Sequence, residues 1–163
     1  MSTGLERLRA QILADRQSLA VQIAELAEVE NCVDPGQTAR AAWALHHGYS
    51  AVEAMLERVA RAIEGGAPTG PEWHRELLDA AALELGGLRP AILSRPTVGH
   101  LHHLRAFRHF ARHGYGSAFD PVLVQQCAAH LHDCAAELAA DLDRFDAFLA
   151  EVIRRASTTS NSA

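Results

Sequence analysis

The sequence has few aromatic, valine and isoleucine residues, and it has no long apolar run. Because no stretch approaches about 18 consecutive apolar residues, we expect no membrane-spanning helix and no membrane partner. Alanine and leucine are the commonest residues, and both favour helix. Apolar residues make up 48% of the 163 residues and charged residues 21%. That balance is typical of a globular protein, and the length predicts one domain with its own core.

Signals for export and for disulfide bonding are also missing. The chain does not begin with a basic segment followed by an apolar run, so we expect no secretory signal and a cytoplasmic location. The three cysteines, Cys32, Cys127 and Cys134, form no CxxC pair. We interpret them as reduced, small core residues.

An alternating strand pattern is absent, whereas helical spacing and helix caps recur along the chain. The expected helices cover residues 3–33, 38–64, a shorter segment from Pro71 to a stop at Gly86-Gly87, Ser94 to His113, and Asp120-Pro121 to about Val152. Asp34-Pro35-Gly36 is expected to end the first helix. The prediction is an all-α, five-helix, up-and-down bundle over residues 1–156, followed by a disordered tail at 157–163.

Two helices show apolar columns that are expected to face a core. The first repeats every seven residues, in a pattern typical of a coiled-coil seam: Leu5, Ile12, Leu19, Leu26 and Val33. The second is spaced in threes and fours: Ala42, Leu45, Tyr49, Val52, Leu56, Val59 and Ile63. The seam on the first helix leaves two alternatives, burial within its own domain or against a second copy.

The fourth helix is basic although the chain is acidic. A net charge of −5 argues against binding DNA or other nucleic acid by bulk electrostatics. Between residues 94 and 119, however, there is no carboxylate at all. At about 100° per residue, Arg105, Arg108 and Arg112 share a narrow arc of this helix. His102, His109 and His113 lie just beyond that arc, and Leu101, Leu104, Phe107, Phe110 and Ala111 lie on the core side.

Such a patch favours binding of a phosphate, because the planar guanidinium of arginine fits phosphate oxygens. The alternative is an ordinary solvated basic face. His109 and His113 also have metal-ligand spacing, and His100, His102 and His103 are close in sequence. Since the helix offers no carboxylate or cysteine to complete a zinc site, we expect no metal and no cofactor.

The run from Arg108 through His113 to Tyr115 resembles the Arg-x4-His-x-Tyr signature of HepT-type toxins in the HEPN superfamily. Three other segments resemble HepT-like chains: Tyr49-Ser-Ala-Val-Glu53, Trp73-His-Arg-Glu-Leu77 and Ser94-Arg-Pro96. The resemblance covers roughly residues 40–150. One departure is His109, where many members carry an asparagine or another polar residue directly after the arginine.

The resemblance implies a metal-independent endoribonuclease that acts as a homodimer, with two copies of the motif in one cleft. The side-chain chemistry agrees: we expect Arg108 and His113 to be the catalytic residues, with His113 as the base and Arg108 stabilising the phosphate charge, and His109, Arg112 and Arg105 to extend the phosphate-binding patch. The resemblance also implies a minimal nucleotidyltransferase antitoxin as partner, which modifies Tyr115 with AMP. A non-catalytic HEPN module that binds nucleotide or RNA, or that assists a nucleotidyltransferase, is the alternative, and a plain helical interaction protein is a third.

Helix geometry raises a difficulty for a site within one chain. Positions 108 and 113 are about 140° apart on an ideal helix. Within one chain, the long side chain of Arg108 and unwinding of the helix near Gly114 are two ways to bridge this separation. The alternative is a two-fold axis that brings Arg108 of one chain toward His113 of another. Elsewhere, we expect packing and capping from Trp73 and His74, an ion pair with an arginine for Glu53, and no functional role for His46, His47, His130 and His132.

Overall fold

The computed structural model describes residues 2–28, 34–113 and 119–160, with side chains except at positions 2, 106, 108–113, 159 and 160. Five helices occupy the described residues: α1 Ser2–Ala27, α2 Pro35–Ile63, α3 Trp73–Ala81, α4 Arg95–His113 and α5 Pro121–Ser160. Within those same ranges no strand forms, and the sole β-type pairing is an isolated bridge between Leu85 and Arg89. The predicted all-α class is confirmed.

The four long helices run up and down, and the short α3 lies against α2 and α4. In each neighbouring pair, later residues of one helix meet earlier residues of the other. The pairs are Asp15 with Arg58 and Glu25 with Arg40 between α1 and α2, Arg9 with Asp146 between α1 and α5, and Thr97 with Asp141 and His100 with His130 between α4 and α5. These three helix pairs are therefore antiparallel, as expected for an up-and-down bundle.

The core lies where the predicted apolar columns meet. On α1, Leu8, Ile12 and Leu19 are buried, while Leu5 and Leu26 are partly buried against the same cluster. The α2 column is buried from Ala42 to Val59. The seam on α1 therefore packs within its own domain, and the two columns are confirmed except at Val33, which lies outside the described residues.

The turn between α1 and α2 contains the residue that caps the start of α2. The α1 helix ends at Ala27, six residues before the predicted end, and residues 29–33 with Cys32 lie outside the described part. Asp34 is the N-cap of α2, because its carboxylate accepts hydrogen bonds from the backbone N–H groups of Gly36 and Gln37 at 2.8 and 2.9 Å. Pro35 occupies the first helical position, so α2 starts three residues earlier than predicted.

The end of α3 is set by a buried arginine and not by the predicted Gly86-Gly87 stop. The helix ends at Ala81, and a tight turn between Leu85 and Arg89 follows. The Arg89 guanidinium donates to the carbonyl oxygens of Ala80 and Leu83 and to Glu64 Oε1 at 2.7 to 3.0 Å. These bonds satisfy carbonyls that the helix end leaves without intrahelical donors.

The last helix starts as predicted and ends later. Asp120 accepts a hydrogen bond from the backbone N–H of Val122 at 2.9 Å, and Pro121 is the first helical residue. The helix continues to Ser160, so residues 157–160 of the predicted disordered tail are helical. Ser157 and Thr158 donate to the carbonyls four residues earlier, at 3.0 Å each, which keeps these polar side chains compatible with the helix.

Cys127 and Cys134 are unpaired, buried residues of α5. Burial raises the pKa of each thiol to about 11, because a thiolate is poorly solvated there. Both are therefore core residues, as predicted. Along the described ranges, no helix is both long enough and apolar enough to cross a membrane.

Candidate active site on the fourth helix

A buried carboxylate from α5 holds the start of α4. Asp141 is 1% exposed, and it accepts hydrogen bonds from the Ser94 backbone N–H at 2.8 Å and from the Thr97 hydroxyl at 2.7 Å. The Ser94 hydroxyl also accepts a long hydrogen bond from the Thr97 N–H at 3.4 Å, so the predicted cap is present. Sequence reasoning missed Asp141. Its only signal is a charged residue inside the apolar column of α5, between Leu138 and Leu142.

The middle of α4 is anchored in the core by residues that the helical spacing places on the core side. Leu101, Leu104 and Phe107 are at most 2% exposed. The ring of Phe107 lies 6.4 Å from that of Phe119, which precedes α5. The side chains of Phe110 and Ala111, predicted to continue this face, lie outside the described set. Two turns of α4 that are packed in the core therefore lie directly before the motif.

Arg105 is the one predicted RNA-binding residue whose side chain the structure describes. It is half-buried, and its Nε atom is fully buried. Among the described residues, none accepts a hydrogen bond from that Nε. A buried donor without an acceptor costs about 1–3 kcal/mol, and more when it carries charge. An anion with several acceptor oxygens, such as a phosphate, relieves that cost.

For Arg108, His109, Arg112 and His113 the structure describes the backbone alone. All four positions are α-helical, because α4 continues without interruption to His113. Unwinding before Gly114 therefore does not bring positions 108 and 113 together, and they remain about 140° apart around the axis. Gly114 and Tyr115 lie outside the described residues.

The two catalytic candidates continue different columns of α4. Position 108 lies about 20° from the column of Leu101, which is buried in the core. Position 113 lies about 20° from the column of His102, whose Nε2 is 2.9 Å from Asp79 Oδ1 on α3. Leu101 thus lies on the core side of α4 and His102 on the α3 side, and the backbone positions 108 and 113 lie on different sides of the helix. This divergence favours a site that two chains share.

Two histidines belong to polar contacts outside the motif. His102 pairs with Asp79. His74, at the start of α3, contacts the carboxylate of Glu53 through Nδ1, and Glu53 is 5% exposed. The described partner of Glu53 is therefore an imidazole, and the ion pair of Glu53 with an arginine stays a prediction. Trp73 is half-buried against the core, as the packing interpretation predicts.

Three further histidines cluster between α4 and α5. His100 Nδ1 and His130 Nδ1 are 3.1 Å apart, and the rings of His103 and His130 stack at 3.9 Å. Within the part of the chain that the structure describes, no group of three or more His, Cys, Asp or Glu side chains has the arrangement to hold a metal ion. We return to this cluster below, since the prediction gave His130 no role.

The fold and the α4 surface define an antiparallel helical bundle with a basic, carboxylate-free helix end. The sequence profile of the HepT-like protein family matches residues 40–149, which is more than half of the chain. The chain therefore belongs to the HepT-like family, within the HEPN superfamily, as the resemblance indicated. No curated protein and no solved structure matches it.

Proposed function

We propose that this protein is a toxin of the HEPN type that cleaves RNA without a metal ion, through Arg108 and His113. The observation that carries the proposal is the Arg-x4-His-x-Tyr run at the basic end of α4, in a chain that belongs to the HepT-like family. Arg105 supports it, since its buried Nε has no acceptor among the described residues and lies on the arc of positions 108 and 112.

The chemistry follows from the side chains of the motif. An imidazole at position 113 accepts the proton of a ribose 2′-hydroxyl. The 2′ oxygen then bonds to phosphorus while the bond to the 5′ oxygen breaks, and that oxygen takes a proton from an imidazolium or from water. The products are a cyclic 2′,3′-phosphate and a 5′-hydroxyl. The guanidinium of Arg108 stabilises the negative charge that develops on the phosphate oxygens.

A homodimer completes the proposed site. Because positions 108 and 113 diverge on α4, we assign the arginine of one chain and the histidine of its partner to the same phosphate. Arg105, His109 and Arg112 then extend the phosphate-binding surface along each helix. The patch is local, which reconciles RNA binding with a net charge of −5.

The first test is cleavage of RNA by the purified protein in excess chelator. Cleavage is expected to proceed at the same rate with and without the chelator, and the products are expected to carry cyclic phosphate ends. Intact RNA after incubation with a folded dimer favours the alternative, a non-catalytic HEPN module that binds RNA or nucleotide. Cleavage that stops in chelator contradicts the metal-independent mechanism.

A minimal nucleotidyltransferase is the partner that we propose as antitoxin, with Tyr115 as the residue it modifies. An AMP group beside Arg108 and Arg112 brings a negative phosphate that competes with RNA for the same cations. After co-expression with such an enzyme, the chain is expected to gain the mass of at least one adenylyl group, and Tyr115→Phe is expected to gain none. Modification of the Phe variant assigns the target elsewhere.

A further inference from the structure

The seam between α4 and α5 contains three imidazoles in mutual contact. His100 and His103 lie one turn apart on α4, and His130 faces both of them from α5. The His100 and His130 rings meet edge to face at 5.3 Å, and the His103 and His130 rings are parallel within 4° at 3.9 Å. His130 is thus the central member of this histidine cluster.

These contacts require that His130 and the ring it touches are not both protonated. A hydrogen bond between the Nδ1 atoms of His100 and His130, 3.1 Å apart, needs one nitrogen with a hydrogen and one with a free lone pair. When both rings are protonated, two N–H groups face each other and the bond is lost. Protonation of His103 together with His130 likewise places two positive charges in stacked rings.

The charges around His130 reinforce this preference. From α4 it faces His103 and His100, and on its own helix the nearest carboxylate is Asp133. Burial, and then the two α4 histidines, lower the pKa of His130 below its ordinary value, and Asp133 opposes the shift only partly. His102 is separate, because it pairs with Asp79 of α3. No carboxylate therefore balances a second proton on the α4 side.

We propose that His100, His103 and His130 form a pH-sensitive latch, a set of contacts that holds the middle of α4 against α5 near neutral pH and loosens it in mildly acidic solution. The latch lies one to two turns before position 108. Loosening it moves the helix end that carries the motif, so the consequence for RNA cleavage rests on the proposed function. The latch itself does not, because it depends only on helix packing.

The direction of the pH effect follows from proton binding. Because the pKa of His130 is lower in the folded protein, the unfolded or opened state binds more protons between that value and the ordinary value of 6.5. The contribution of His130 to the stability of the folded state is therefore complete above pH 6.5, and it is lost as the pH falls below 6.5. The opening equilibrium therefore shifts toward the open state as the pH falls from 6.5 toward the lowered pKa of His130.

Hydrogen exchange of the α4 backbone tests the latch without RNA. Protection factors of residues 101–113, corrected for intrinsic exchange, are compared at pH 7.5 and 5.5. In wild type they are expected to fall severalfold at the lower pH. In His130→Gln the dependence is expected to disappear, because His130 faces both α4 histidines, and in His103→Gln it is expected to weaken, because the His100–His130 pair remains. His132→Gln, which alters an exposed histidine on the same helix, should behave as wild type.

Two outcomes contradict the latch. One is a wild-type protection that does not change between the two pH values. The other is a pH dependence in both the His130 and His103 variants that equals that of wild type. Cleavage assays are run separately, so an inactive protein that still shows the exchange pattern disproves the proposed function and leaves the latch standing.

Discussion

Chains with Arg108→Ala and chains with His113→Ala are each expected to lose RNA cleavage by about a hundredfold or more, and a mixture of the two is expected to recover it. Each loss removes a group that acts on the phosphate or on the proton, and such groups contribute about 10²-fold or more. The recovery follows because each site takes its arginine from one chain and its histidine from the other. A mixed dimer holds one site with both substitutions and one site with neither.

Random pairing sets the size of the recovery. Half of the dimers in an equimolar mixture are mixed, and each keeps one of its two sites, so about a quarter of wild-type activity is expected for a two-fold symmetric dimer. The two variants are unfolded and refolded together, or co-expressed, and cleavage of a labelled RNA is followed. Arg95→Ala serves as the matched control, since it removes an exposed arginine at the far end of α4 and is expected to keep full activity.

The same mixing experiment separates a shared site from a site within one chain. If each chain carries its own complete site, the mixture has no intact site and stays as inactive as the single variants. If both single variants keep their activity, the assignment of Arg108 and His113 as catalytic residues is wrong. Size-exclusion chromatography of the variants checks that each substitution leaves the dimer intact.

Asp141→Ala is expected to cost about 2–4 kcal/mol of the free energy of unfolding, the largest stability effect that we predict. The substitution leaves the backbone N–H of Ser94 and the hydroxyl of Thr97 without their buried acceptor. Thr97 is itself 0% exposed, so water cannot replace the lost bond without opening the seam. The start of α4 then loses its anchor on α5.

Urea unfolding measures this effect, and Asp143→Ala is the matched control. Asp143 lies two residues along the same helix, with its side chain 69% exposed and paired with Arg16. Because exposed ion pairs contribute little, its loss is expected to change the free energy of unfolding by less than about 1 kcal/mol. Equal losses from both variants show that Asp141 does not anchor α4.

Local signals predicted those parts of the fold that depend on neighbours in sequence. Asp120-Pro121 start α5, and α4 extends from just after Ser94 to His113, as the caps indicate. Where a local stop signal competes with a tertiary contact, the predicted end of the helix was less accurate. The third helix stops at Ala81, where Arg89 binds the carbonyl of Ala80 and the backbone N–H groups of Ile92 and Leu93 bind that of Ala81, although Gly86-Gly87 offered the stronger local signal.

By itself the sequence determined the helical class, the columns that form the core, the extent of α4 to His113 and its basic run. These depend on spacing along one helix, which side-chain identity encodes directly. Only the tertiary structure decided that Asp141 anchors α4 and that His130 meets His100 and His103. The last two contacts span 47 and 30 residues of chain, and they arise because antiparallel packing sets which turns of α4 and α5 face each other.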